Sequence, residues 1–477
     1  MSIVIGLDIG TTTITAVAVE ESGSVYASVS LPSPTATTSQ LSISGRPYSN
    51  AELIPTATRR LLVQLGERLG ADGKQVVGIT VTGQQHGCLL VDAKRHPKTP
   101  LVNWQDKRGD DAFPGVAHSF VHEAIARCGT DLPSRTGCRL ASGYMATTLF
   151  CWKEKKKLKE GRTASFISDL IASRLAKNGL TTDSTLAASG GVFNLVANDW
   201  DWEAIDALGL PHSLFPPILA SGSLLGRFAG ARAFNLPPNV PVYVGLGDHQ
   251  ASFLGAVADP ANSLFINIGT GGQVAAYIKD FHYDPALETR PFPGGGFELV
   301  SAGLTGGKAY ATLEGFFRKV GVELFDKEPA ALFARLNALA EKVSPGCDGL
   351  RCEPYFAGTR RNPDWRASWS GMSDTNFTPG HMARAVLEGM ARALREGAEQ
   401  IEKNLPAARE IIVGAGNGIR ENPLFTSILA REFGRPIRVP HHREEAAYGA
   451  AIVAAIGAGL LPDFASAGRW IRYDEPT

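Results

Sequence analysis

Three short stretches join glycine to an acid or a hydroxyl in a way that could do chemistry: GLDIGTTT from residue 6, NIGTGG from residue 267 and GLGDHQ from residue 245. Glycine lets the backbone approach an anion, and successive N–H groups with Thr hydroxyls can hold phosphate oxygens. An acid beside such a turn can hold Mg2+, directly or through water. One such turn alone is more often a plain hairpin. Here Ile9-Gly10-Thr11 aligns with Ile268-Gly269-Thr270, which sets Asp8 opposite Asn267. Two related copies imply a duplication at the scale of a domain, with a nucleotide's phosphates clamped between the halves. The third stretch leaves Asp248 in an apolar, glycine-rich setting, where it is either a turn or cap residue or a functional acid.

The elements that must position these residues can be read from periodicity. Residues 3–30 alternate apolar and polar positions around glycine turns, as paired strands do, and LFINIGTGGQVAAYIK repeats the layout. Leu61, Leu62, Leu65 and Leu69 recur at helical spacing before the strand VVGITVTG. Thr378 and Pro379 open a helix whose apolar face carries Val386, Leu387, Met390, Leu394, Ile401 and Leu405. EIIVGAG reads as a strand, and a further helix starts at Asn422-Pro423 and stops at Gly434. Strands alternate with helices in both halves, so the class is α/β. A Pro-rich connection at 234–248 divides residues 1–246 from 247–465, with 466–477 as a tail. Asp248 then falls at the junction.

The 477 residues suffice for two domains, and 47 basic against 47 acidic side chains leave no field to attract nucleic acid or a membrane surface. A neutral or small charged partner fits better, with a homodimer kept open. Cys88, Cys128, Cys138, Cys151, Cys347 and Cys352 show no CxxC spacing, as in reduced cytosolic proteins. MSIVIGLDIG lacks the apolar core of a signal peptide, so a cytoplasmic location is expected. The uncharged run 446–462 reads as a packed helix rather than a membrane span, and KEKKKLKE at 153–160 as a solvated helix face. The Ser/Thr/Pro-rich stretch 31–50 reads as a surface loop, and His441-His442 as a loop without metal-ligand spacing.

In order, the chain carries GLDIGTT, GITVTGQQHG, NWQDKR, GDHQAS, NIGTGG, PYFAGTRRNP, SGM with ARAVLEGMARAL, and VGAGN with AAYGAA. This ordered set resembles the FGGY family of carbohydrate kinases over residues 3 to 457. The resemblance implies a two-domain actin/hexokinase/Hsp70-like ATPase fold of duplicated ribonuclease H-like domains, with the catalytic cleft between them. It implies ATP and Mg2+ as cofactors and an alcohol group of a sugar as acceptor. By the same resemblance Asp248 is the general base and Asp8 the metal-proximal acid. Gly10, Thr11, Thr12, Gly269, Thr270 and Gly271 face the phosphates, while Gly414, Gly416 and Asn417 lie near adenine and ribose. Gln85, His86, Trp104, Asp106 and Arg108, with Asp248, line the sugar site. LVNWQDKR, GYMATTLFCW, DSTLAASGGVFN and GDHQAS are most similar to sedoheptulokinases, which implies sedoheptulose as acceptor. A pentulose or polyol kinase and a non-sugar ATPase of the same superfamily are the alternatives. GTGG, GQQHG and VGAGN depart from the commoner GTS, GQMHG and GGGA of the family.

Overall fold

The computed structural model describes residues 1–34, 42–43, 46–47, 50–228, 230–359, 362 and 364–474. Most of the 31–50 stretch and part of the PYFAGTRRNP motif lie outside them.

The first lobe is built on strands β1 (Ile3–Ile9), β2 (Thr13–Glu20), β3 (Val25–Pro32), β4 (Val76–Gly83), β5 (Leu224–Phe228) and β6 (Val240–Gly247), in the order β5-β6-β4-β1-β2-β3. The second uses β7 (Ser263–Ile268), β8 (Gly272–Ile278), β9 (Glu288–Pro291), β10 (Phe297–Leu304), β11 (Ile411–Ala415) and β12 (Ile437–Arg438), in the order β9-β10-β8-β7-β11-β12. Each sheet contains an antiparallel triple followed by two parallel strands, β3-β2-β1-β4-β6 and β10-β8-β7-β11-β12. The α/β class and the duplication expected from the two hairpins are therefore present strand by strand.

Helices cover the sheets: α1 (Leu53–Leu69), α2 (Met145–Glu154), α3 (Ile167–Ala176), α4 (Ser184–Ser189), α5 (Asp248–Ala256), α6 (Gly307–Phe325), α7 (Pro379–Glu402), α8 (Asn417–Arg420), α9 (Pro423–Phe433) and α10 (Glu445–Gly457). The caps act as the sequence implies. The Thr378 side chain accepts from His381 N–H, the Asn422 side chain accepts from Phe425 N–H, and Gly434 closes α9 in the left-handed region. Such a cap stabilises a helix by about 1 kcal/mol.

The uncharged run at 446–462 forms α10, buried between the lobes; among the described residues no helix is long and apolar enough to cross a membrane. It crosses α5 so closely that a Cβ on Gly449 would lie 1.9 Å from Ala251 O. Val4, Val17, Phe253, Phe265, Val413 and Tyr448 gather around these two helices, so one apolar cluster joins both sheets. Asp248, first residue of α5, therefore stands on a closely packed helix crossing that joins both sheets.

The lysine run departs from expectation. Helix α2 stops at Glu154, and most of the run follows it in a turn. Lys156 adopts φ 54°, its N–H donates to Lys153 O and Lys157 N–H donates to Trp152 O, a left-handed closure that satisfies the helix's last carbonyls. All six cysteines are buried.

Candidate active site

Parallel pairing sets Asp8 of β1 beside Thr82 of β4, and Thr82 beside Leu246 of β6. The carboxyl ends of three strands thus bring Asp8, the 84–86 segment and Asp248 to one edge, where open α/β sheets bind ligands. Thr82 Oγ1 donates to Leu246 O at 2.8 Å and fixes that register in the interior. Thr11 Oγ1 donates to Gln84 Oε1 at 3.4 Å, which ties the first hairpin to the strand carrying the sugar motif.

Asp248 is held from behind. Gly247 N–H donates to Thr185 Oγ1 at 2.8 Å, and that hydroxyl donates to Asp183, whose carboxylate also accepts from Ser221 and Leu186 N–H. Gln85 Nε2 donates to Gln250 Oε1 at 2.9 Å and to Thr185 O at 3.3 Å. Burial pushes the Asp248 carboxyl up to about 6, against His249, the first N–H groups of α5 and Arg290, all of which favour its charge. Such a group is ionised at neutral pH yet basic enough to take a proton.

Asp8 differs. Burial, then the charges of Asp248 and Glu444, push its carboxyl up to about 8. Its Oδ1 is buried with no hydrogen-bond partner among the described residues. An orphaned carboxylate oxygen crowded by two other acids suits a cation. Among the described residues no cluster of three or more His, Cys, Asp or Glu forms a ready cage. Mg2+ keeps most of its waters and takes one or two carboxylates plus phosphate oxygens, so a single acid such as Asp8 fits it.

The second hairpin is braced by α6. Gly307 N–H donates to Gly269 O at 3.0 Å and Lys308 N–H donates to Thr270 O at 3.1 Å. A Cβ on Gly306 would lie 2.2 Å from Gly271 C, so glycine alone permits this approach. Gly416, at φ 85°, packs against Ile268 O and Asn267, which brings the 416–417 turn beside the hairpin; Asn417 is exposed there. Gly414 is not on that surface. It is buried, and a Cβ there would meet Ile419 and Ile437, so its smallness serves packing.

On the sugar side, His86 adopts φ 71°, a left-handed conformation uncommon outside glycine and frequent at functional sites. Its N–H donates to Ser189 Oγ and its Nδ1 lies 2.9 Å from Ser189 O. A carbonyl only accepts, so Nδ1 carries a proton. The imidazole stacks on Tyr144 at 4.3 Å and 9°. Asp106 is buried and grips Arg108 with both oxygens, at 2.8 and 3.0 Å. Trp104 is 39% exposed at the rim, with Gly143 packed on its carbonyl. Opposite, β9 of the second lobe presents Arg290, paired with Glu288 at 2.6 Å. A cavity of about 380 Å3 opens between residues 139–141 of the first lobe and Glu288 of the second.

Thr185, Tyr144, Gln250, Glu444 and Arg290 belong to this constellation, and sequence reasoning does not single them out. Thr185, Tyr144 and Gln250 sit inside the motifs DSTLAASGGVFN, GYMATTLFCW and GDHQAS; Glu444 and Arg290 carry no local signal.

A duplicated strand order with a glycine hairpin in each lobe defines a two-domain ATPase fold of the actin/hexokinase type. The chain belongs to the FGGY family of carbohydrate kinases: the family's N-terminal domain matches residues 3–255 and its C-terminal domain residues 307–458. It is 28% identical over 485 residues to the sedoheptulokinase of Mus musculus, covering 94% of this chain and 97% of that protein. It is 25% identical over 479 residues to the gluconokinase of Bacillus subtilis (strain 168), covering 97% and 89%. The crystal structure of xylulose kinase from Rhodospirillum rubrum superposes with a TM-score of 0.85 at 26% identity, covering 100% of this chain and 94% of that one. Membership removes the non-sugar ATPase reading; relatives named for different sugars stand at similar identity.

Proposed function

We propose that this carbohydrate kinase transfers the γ-phosphoryl group of ATP to the terminal primary hydroxyl of a ketose, with sedoheptulose as acceptor and sedoheptulose 7-phosphate as product. The observation that carries the ketose is charge. Among the described residues Arg108 is ion-paired with Asp106 and Arg290 with Glu288, so neither guanidinium stands alone to take the carboxylate of a sugar acid. An uncharged polyol suits it better than a sugar acid, because a charged ligand would need an unpaired partner. The seven-carbon length rests on the likeness of LVNWQDKR and DSTLAASGGVFN to sedoheptulokinases. A pentulose is the second reading, favoured by the fold's likeness to a xylulose kinase.

Asp248 takes the proton of the attacking hydroxyl while Thr185 and Gly247 keep the start of α5 in place. His86 Nε2, Gln85 and the Asp106–Arg108 pair orient the other hydroxyls. Gly10 to Thr12 and Gly269 to Gly271 hold the phosphates from the two lobes, and Gly416 and Asn417 lie toward the nucleoside. Asp8 would hold Mg2+, which supplies neutralisation of the β- and γ-phosphate charge.

The test is kcat/KM at saturating Mg·ATP for sedoheptulose, D-xylulose, D-ribulose, glycerol and gluconate. Sedoheptulose leads if the reading is right. A preference for xylulose moves the protein to the pentuloses, and a preference for gluconate rejects the charge argument.

A further inference from the structure

The second lobe meets the acceptor site through one strand, β9, and its geometry is set by a buried contact. His249 Nε2 of α5 lies 3.1 Å from Glu298 Oε2 of β10, both side chains nearly inaccessible. Arg290 is the antiparallel partner of Glu298, and Glu288 lies two residues before Arg290. Paired residues share a face of an antiparallel sheet, so Glu298, Arg290 and Glu288 all point toward α5 and the cleft. Gln250 Nε2 donates to Pro291 O at 3.3 Å and Gln250 Oε1 accepts from Gln85 at 2.9 Å, which places β9 directly over the sugar motif of the first lobe.

The Arg290 guanidinium is pre-oriented. Its Nε and one terminal nitrogen both donate to Glu288 Oε2, at 3.1 and 2.6 Å. The other terminal nitrogen reaches only to Gln273 Oε1, at the long distance of 3.5 Å. The arginine is about nine-tenths buried, yet one nitrogen has its donors weakly engaged. A cavity lined by residues 139–141 and Glu288 lies next to two of these elements. Ala141 precedes Ser142, whose hydroxyl donates to Asp106 O at 3.2 Å, and Glu288 is the partner of Arg290.

We propose that Arg290, held by Glu288, is the specificity-determining residue of the second lobe: it donates to acceptor hydroxyls remote from the reacting carbon, and the far end of a long acceptor lies toward the cavity between residues 139–141 and Glu288. This rests on the sugar-kinase reading above and adds the group that measures acceptor length. A short acceptor does not reach Arg290; a long one loses a partner if that contact is removed. With Arg290 held by Glu288 the distal group recognised is a hydroxyl, and releasing Arg290 from Glu288 opens the position to a carboxylate.

The experiment compares the full-length wild type with Arg290→Met, Arg290→Lys and Glu288→Gln on the longest and shortest acceptors that the wild type phosphorylates. Arg290 also acts on the charge of Asp248, but that effect is common to every acceptor and cancels in the long-to-short ratio of kcat/KM. Arg290→Met should lower that ratio by about tenfold or more, mainly through KM of the long acceptor, with KM for ATP little changed. Arg290→Lys should recover part of the ratio, and it carries the comparison if the methionine variant does not fold. Glu288→Gln should raise gluconate relative to the long ketose by severalfold. An equal loss on long and short acceptors, or none, overturns the proposal and leaves the ketose reading intact. A wild type that prefers gluconate sinks the ketose reading; the ratio is then read between gluconate and glycerol, where an equal loss still overturns the role of Arg290.

Discussion

The two glycine hairpins occupy the same place in the two sheets and differ in what surrounds them. The first follows Asp8, an acid with a buried, unpartnered oxygen, and carries three consecutive threonines. The second follows Asn267, loses two of the hydroxyls to glycine and is braced from behind by the first N–H groups of α6. Duplication kept the backbone geometry, which any phosphate needs, and confined the charge to one lobe. On the proposed function, the acid stands where a cation would neutralise it near the γ-phosphate, while the other hairpin, beside Gly416 and Asn417, is an uncharged cradle. An acid in both would set carboxylates against phosphates twice, and only one cation site would answer it.

The largest expected effect lies where the two lobes join. Asp248→Asn keeps the shape and removes the proton acceptor, so kcat should fall by about 10² to 10⁴-fold while ATP binding, measured by calorimetry, stays nearly as in the wild type. In the wild type, kcat/KM should decline as pH drops through about 6, because protonation disables the base. Turnover of the asparagine variant within a few-fold of wild type would remove Asp248 from the mechanism.

Exchanging the acids tests the asymmetry itself. Asp8→Asn should lower kcat by roughly 10²-fold and raise the Mg2+ concentration needed for half-maximal rate. Asn267→Asp should weaken ATP by less than about tenfold, through repulsion alone. Stability should move the other way. The Asp8 carboxyl is raised in the folded state from an ordinary 3.8 to about 8, so without metal it costs the wild type stability that grows as pH rises toward 8. Metal-free Asp8→Asn should therefore melt higher than the wild type near pH 8, by roughly 2 °C or more, and no higher near pH 4. Equal damage from both substitutions would mean that the hairpins are interchangeable.

Much of this could be read before any coordinates. The duplication follows from two local patterns, and the caps at Thr378, Asn422 and Gly434 follow from residue types with a single favourable backbone use. Asp8, the 84–86 segment and Asp248 come to one sheet edge because each sits at the end of a strand or in the loop after it. What could not be read is pairing across distance. Thr185 supports Gly247 from 62 residues away in the chain, and Arg290 faces the cleft only because Glu298 opposes it across two strands. Gly414 matched a motif but is buried, since a glycine after a strand looks the same whether its missing Cβ makes room for a ligand or for Ile419. The lysine run misled because charge spacing does not reveal a left-handed residue such as Lys156.

The smallest effect separates the brace of the second hairpin from its binding surface. Gly306 abuts Gly271, and an added methyl there must push the hairpin or the start of α6, whereas a methyl added to Gly269 would meet nothing within 4 Å. Gly306→Ala should cost about 1 to 3 kcal/mol through overpacking and also raise KM for ATP by severalfold, because the displaced turn presents its N–H groups badly. Gly269→Ala should leave the melting temperature unchanged and still raise KM for ATP by about threefold, since the open space beside it is where a phosphate oxygen would lie. The first hairpin provides the control: a methyl on Gly10 would lie 2.8 Å from Thr13 O, so Gly10→Ala should disturb melting and nucleotide together, as Gly306→Ala does. If Gly269→Ala changes neither melting nor KM, the phosphates do not rest on the second hairpin, and the picture of one charged and one uncharged half of a single clamp fails.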